Sequence, residues 1–152
     1  MEQTTEQGVL EQTIEIDASP ETVWQYLTDE EKAKGWWGPG PSFDVAPGGE
    51  FLLKTTTGMV AKGVFLEVDE PRRLVYTFGW EDRMFAVPPG STTVEITLEP
   101  SGDGTTLRLV HRGLDGEARD QHGLGWRHYL GRLAVAAAGG DPGPDNWAEM
   151  QL

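Results

Sequence analysis

The sequence predicts an α+β domain, a meandering β-sheet with one long C-terminal helix laid across it. Hydrophobic residues recur every second position through most of the region from Ser42 to Arg112, with turn signals between the runs. The spacing then changes to a helical one. From His122 onward, His122, Trp126, Tyr129, Leu133 and Ala137 fall in a narrow sector at about 100° per residue. Strands and helices are segregated rather than alternating, which separates this pattern from a wound βαβ sheet. A long helix across a curved sheet leaves a space between the two layers, and function is sought there.

In chain order, Met1 to Gly8 is polar and expected to fray. Val9 to Asp17 alternates, with Ile14 and Ile16 on one side, and reads as the first strand. Ser19-Pro20-Glu21 starts a helix: Ser caps, Pro suits the first helical position, and the acid faces the positive dipole end. Val23, Trp24 and Leu27 give it an apolar face. Thr28-Asp29-Glu30-Glu31 has capping-box spacing and starts a second short helix ending before Gly35.

A meander of about six strands then follows, five of them explicit as runs. Phe51 and Leu53 alternate with Glu50, Leu52 and Lys54, and Leu74, Tyr76, Phe78 and Trp80 alternate with Val75, Thr77 and Gly79. Val94, Ile96 and Leu98 alternate with polar neighbours, and Leu107, Leu109 and His111 with Arg108, Val110 and Arg112. Val60 to Val68 is a further strand in which Lys62 and Phe65 disturb the alternation. Pro47-Gly48-Gly49, Glu70-Pro71-Arg72, Pro88-Pro89-Gly90 and Ser101-Gly102-Asp103-Gly104 are the turns. The last helix is expected over roughly 117 to 138, with Trp126, Tyr129 and Leu133 toward the sheet and Arg127 and Arg132 toward solvent. Gly139-Gly140 ends it.

Composition narrows the function. The chain has 152 residues, 38% of them hydrophobic, enough for one domain with a real core. A net charge of −13 with only 12 Lys and Arg argues against nucleic acid and against an anionic membrane surface. The absence of cysteine excludes disulfides, thiolate metal sites and a cysteine nucleophile. No leader pattern and no apolar run near the ~20 residues of a bilayer span are visible, so a cytoplasmic protein is expected.

Five stretches resemble the START-like helix-grip superfamily (SRPBCC, the birch-pollen-allergen fold), and within it bacterial single-domain relatives of the activator of the heat-shock protein 90 ATPase. They are Ile16-Asp-Ala-Ser-Pro-Glu-Thr-Val-Trp24, Trp36-Trp37-Gly38-Pro39, Pro47-Gly48-Gly49-Glu-Phe51, Gly63 through Phe78, and Gly125-Trp126 through Leu133. The resemblance implies a curved antiparallel sheet of about seven strands gripping the C-terminal helix, with an apolar cavity between them. It divides the chain into a helix-grip domain over 9–139, a flexible N-terminus over 1–8 and a C-terminal tail over 140–152. Members bind lipids, hormones or polyketides, cyclise polyketides, or contact partner proteins. No match to the second domain of the eukaryotic activators is seen in these residues, so a full co-chaperone role is not expected.

The candidate ligand-binding residues are Trp36, Trp37, Phe51, Leu53, Tyr76, Phe78, Trp80, His111, His122, Trp126 and Tyr129. Trp36-Trp37 offers two indoles as a pocket wall, or a plug for the core. Trp80 leads into Glu81-Asp82-Arg83-Met84-Phe85, a loop mixing aromatic, Met and ionic residues that would suit a cavity mouth. His111 sits on the inner face of its strand and His122 opens the helical stripe. Together they could do acid–base work, or could be core histidines satisfied by nearby groups. No acid has a motif-like position beside either, so they are read as polar handles and no residue is assigned as catalytic. A metal site is not expected, because His122 and His128 are about 120° apart round the helix and no HExxH accompanies them. No glycine-rich phosphate loop is present, so no cofactor is expected.

Three functions follow. The first is binding of a small apolar or amphipathic molecule in the cavity. The second is a polyketide cyclase or dehydratase using the cavity histidines. The third is a module regulating a chaperone-like partner through its acidic outer face.

Overall fold

The computed structural model describes residues 8–81 and 87–145. Its elements are β1 (Val9–Ile16), α1 (Pro20–Thr28), α2 (Glu30–Ala33), β2 (Gly40–Phe43), β3 (Glu50–Lys54), β4 (Val60–Asp69), β5 (Arg73–Trp80), β6 (Thr92–Ser101), β7 (Gly104–Arg112) and α3 (Gly116–Ala137). The strands form one seven-stranded antiparallel sheet in the order β1-β7-β6-β5-β4-β3-β2. No described helix is long and apolar enough to cross a membrane.

Local chemistry sets the boundaries. Ser19 caps α1 by accepting the Thr22 N–H at 3.2 Å, with Pro20 at the first helical position. The second start is shifted by one residue from the expected capping box. Asp29, not Thr28, accepts the Glu31 N–H, while the Thr28 hydroxyl donates back to the Trp24 carbonyl. α3 ends in a Schellman motif, in which Gly139 N–H donates to Ala136 O and Gly140 N–H to Val135 O, with Gly139 at φ +96°.

The disturbed alternation of β4 has a physical cause. Ala61, Gly63 and Phe65 all face inward in phase, and the register against β5 then shifts between Phe65 and Glu67. Beyond that bulge the strand re-aims, leaving Leu66 exposed and Val68 packed against the core. Gly63 sits where a Cβ would lie 1.8 Å from the Thr77 carbonyl oxygen, so only glycine fits.

The core fills the concave side of the sheet. Phe51, Phe65, Tyr76, Ile96, Leu107, Leu109 and His111 point inward, and α3 closes them over with Trp126, Leu130, Leu133, Ala136 and Ala137. Arg127 is exposed and Trp126 buried, as the helical phase requires. Two positions depart from that phase. Leu130 takes the inner place beside Leu133, while Tyr129 stands at the edge of the buried face. Arg132 is not a solvent-facing residue. It is half-buried, its Nε donates to the Trp36 carbonyl at 3.0 Å, and one terminal nitrogen reaches the carbonyls of Pro142, Gly143 and Pro144.

The convex face is organised by charge. Arg108 of β7 pairs with Glu11 of β1, and Glu95 of β6 holds both Arg112 of β7 and Arg73 of β5, which also meets Glu67 of β4. Cross-strand placement makes these pairs neighbours, although exposed ion pairs contribute little stability each.

Candidate functional site

The inner positions of β3, β4 and β5 gather an aromatic floor. Phe51 stacks on Tyr76 with ring centroids 4.3 Å apart, and Phe65 meets both rings edge-on. The loop after α2 lowers Trp37 onto Phe51 at 5.6 Å, and Trp37 in turn lies 6.3 Å from Trp126 of α3. Trp36 stacks on Trp37 at 4.6 Å while its own N–H donates to the Tyr26 carbonyl, which fixes the pair to α1. Leu53 lies on the same inner face of β3 and is buried.

One polar atom in this floor is left over. The Tyr76 hydroxyl is fully buried and has no hydrogen-bond partner among the described residues. Burial pushes its pKa up, so it remains a phenol and a donor. Leaving such a group unpaired costs about 1–3 kcal/mol.

Beside the floor lie the two histidines, and their tautomers follow from the groups around them. An indole N–H can only donate. Trp126 Nε1 is 3.0 Å from His111 Nδ1, so Nδ1 is the acceptor and the proton sits on Nε2. That Nε2–H donates to Thr92 Oγ1 at 2.9 Å, whose own hydroxyl donates to the Phe78 carbonyl at 2.7 Å. The second histidine is the mirror case. Trp80 Nε1 donates to His122 Nε2 at 3.0 Å, leaving the proton on Nδ1, which donates to the Ala118 carbonyl one turn back. The rings are 5.6 Å apart. Burial, and secondarily the nearness of His122, holds His111 well below the ordinary imidazole pKa, and burial likewise lowers His122. Both therefore stay neutral near pH 7, with both nitrogens of each ring engaged by the protein.

Tyr129 belongs to a different cluster. Its hydroxyl donates to Asp145 at 2.6 Å, and the same carboxylate meets His128 Nε2 at 3.0 Å and the Thr56 hydroxyl at 3.0 Å. Burial and the Asp145 carboxylate raise the Tyr129 pKa.

The structure thus brings Trp36, Trp37, Phe51, Leu53, Tyr76, Phe78, Trp80, His111, His122 and Trp126 to one concave region, and sets Tyr129 at its rim. Phe43, Phe65 and Thr92 join that region although they were not among the candidate site residues. Phe65 was obscured by the exposed Val64 and Leu66, which make both faces of its strand look apolar. Thr92 is recognisable only once its strand is paired. Of the expected rim loop, Asp82, Arg83, Met84 and Phe85 lie outside the described residues, as do the N-terminus before Gly8 and the tail residues Trp147 and Met150.

The architecture has close counterparts. The chain is 42% identical to an AHSA1-like protein of Rhizobium etli over 95% of its own length and 91% of that chain, with a TM-score of 0.74. CalU16 from Micromonospora echinospora matches at 29% identity over 86% of this chain and 75% of that one, with a TM-score of 0.67. A Plasmodium falciparum HSP90 activator, at 23% identity, shares the fold, with a TM-score of 0.70 over 84% of this chain and 94% of that one. No curated protein matches. The model of the activator of Hsp90 ATPase homolog 1-like proteins matches residues 17–138, and to that family the chain belongs.

Proposed function

We propose that the protein binds a small apolar or amphipathic molecule between the concave face of the sheet and α3. The observation that carries this reading is the Tyr76 hydroxyl: a buried donor without a partner among the described residues, its ring packed on Phe51 and Phe65. A core that needed only packing would be served better by phenylalanine there. An aromatic floor with one free donor suits a ligand that is mostly apolar and carries one hydrogen-bond acceptor. Trp36, Leu53, Phe78, Trp80 and Trp126 would complete its walls, and the two histidines would shape them.

Binding is better supported than catalysis. A general base needs an available lone pair. Each imidazole here spends its lone pair on an indole N–H and its proton on a protein oxygen. Docking of a partner on the convex face is also less supported, because Glu11, Glu67 and Glu95 are already paired with arginines.

The test compares 2-naphthol with naphthalene on the wild type and on Tyr76→Phe by calorimetric titration. We expect 2-naphthol to bind the wild type more tightly, and Tyr76→Phe to remove about 0.5–1.5 kcal/mol of that preference while leaving naphthalene unchanged. The ligand-free variant should melt at a higher temperature. Binding of neither compound, or a Tyr76→Phe variant that melts lower and binds both equally well, would overturn the reading.

A further inference from the structure

Residues 139–145 leave α3 and fold back on it in a shape fixed by their own sequence. Asp141 Oδ1 accepts the Gly143 N–H at 2.9 Å, Gly143 adopts φ +77°, and prolines flank it on both sides. Arg132 grips the carbonyls of Pro142, Gly143 and Pro144 from the helix while its Nε holds the carbonyl of Trp36. At the end of the segment the Asp145 side chain, only 9% exposed, is bound among the described residues by side chains from two places. His128 and Tyr129 come from α3, and Thr56 from the hairpin between β3 and β4.

This placement matters because of where α3 does and does not meet the sheet. Its backbone packs against β1, where Gln12 donates to the Gly123 carbonyl and Leu10 lies against Gly123, and it makes no comparable approach to β3, β4 or β5. On that side the layers are joined by side chains: the Trp80–His122 bond and the Trp37–Trp126 contact inside, and the Thr56–Asp145–Tyr129 contact at the rim. Tyr129 stands one turn beyond Trp126, so the contact lies beside the aromatic floor. The same segment, through Arg132, also holds the loop that carries Trp36 and Trp37.

We propose that residues 139–145 form a strap that gates entry between α3 and the β3–β4 hairpin, with Asp145 as its latch. The proposal rests on the binding site described above. Opening parts the Thr56 contact with the Asp145 carboxylate, while His128 and Tyr129 keep that carboxylate on α3. The strap itself keeps its shape through Asp141 and Arg132.

Asp145→Asn and Thr56→Val test it, with hydrogen exchange and stopped-flow binding of 2-naphthol measured on the same samples. Release of the latch should raise exchange in the 55–60 hairpin and the 36–40 loop. It should also accelerate association and dissociation of 2-naphthol together by about ten-fold, leaving Kd nearly unchanged. Tyr76→Phe, with the latch intact, should instead alter Kd through dissociation alone. Unchanged exchange in both variants overturns the strap. Raised exchange with unchanged 2-naphthol rates makes it a brace and overturns the gate. If no variant and no wild type binds 2-naphthol while exchange still responds, the binding reading has failed, and the gate falls with it for that separate reason.

Discussion

Two histidine clusters lie along the same helix and are built on opposite chemistry. His122, with His111 facing it, is surrounded by donors: two indole N–H groups occupy one nitrogen of each ring. His128, two turns on, meets the Asp145 carboxylate, an acceptor. A donor neighbour is satisfied only by a neutral imidazole, whereas a carboxylate accepts an N–H from either form. The first cluster therefore belongs to the dry interior and fixes the fold. The second ties the end of α3 to the segment that follows it, through the Asp145 carboxylate. Residue type alone does not separate these roles; the partner does.

The largest effect expected from this contrast is at Trp126. Trp126→Ala should cost about 3–5 kcal/mol in urea unfolding, from lost packing. Trp126→Phe, which keeps much of the bulk but strips His111 of its donor, should cost about 1–3 kcal/mol. A Phe variant as stable as wild type would show that the indole N–H is dispensable and dissolve the distinction between the clusters.

Acid should come next. Both inner histidines have folded-state pKa values below the ordinary 6.5. Above pH 6.5 neither folded nor unfolded chain takes up these protons, and their full contribution to stability is present. Below it the unfolded chain binds protons that the folded chain refuses, so stability falls, by up to about 1.4 kcal/mol per pH unit for each histidine, until the folded pKa is reached. His122→Gln can still accept from Trp80 and donate to Ala118 but does not titrate. Its unfolding free energy, followed from pH 7 to 5, should show a shallower slope than wild type. An unchanged slope would place the acid sensitivity elsewhere.

The smallest effect belongs to the rim. Tyr129→Phe should change stability by under about 1 kcal/mol, since His128 and Thr56 still hold the Asp145 carboxylate. A loss approaching that of Trp126→Phe would mean the rim is as dry as the core, and the comparison would collapse.

Most of the fold was legible because its signals are local. Ser19-Pro20 marks a helix start, two-residue alternation marks strands, and Gly139-Gly140 marks a helix end, each through contacts within a few residues. The indole and imidazole positions were legible too, as members of inner faces. Their bonding was not, because Trp126 and His111 are fifteen residues apart and meet only when α3 lies on β7. Tyr129 and Leu130 show the limit of a helical wheel: both lie within the arc, and packing against the sheet decides which is buried. Arg132 and Asp145 were invisible for a simpler reason. A charged residue on a helix, or after it, is ordinarily solvated, and nothing local reveals that a tail will return to meet it.

The chain of ion pairs across the convex face has an electrical consequence at a distance. Its three glutamates and three arginines cancel as a unit, so the net charge of −13 is carried wholly by the rest of the surface. The protein is therefore surrounded by a lopsided negative field. An anionic molecule diffusing toward it is turned away and a cationic or neutral one is not, before any contact forms. Raising ionic strength should accordingly speed the arrival of a carboxylate-bearing analogue such as 2-naphthoate and leave that of 2-naphthol unaltered. Equal salt dependence for the two would show that the field does not reach the path they take.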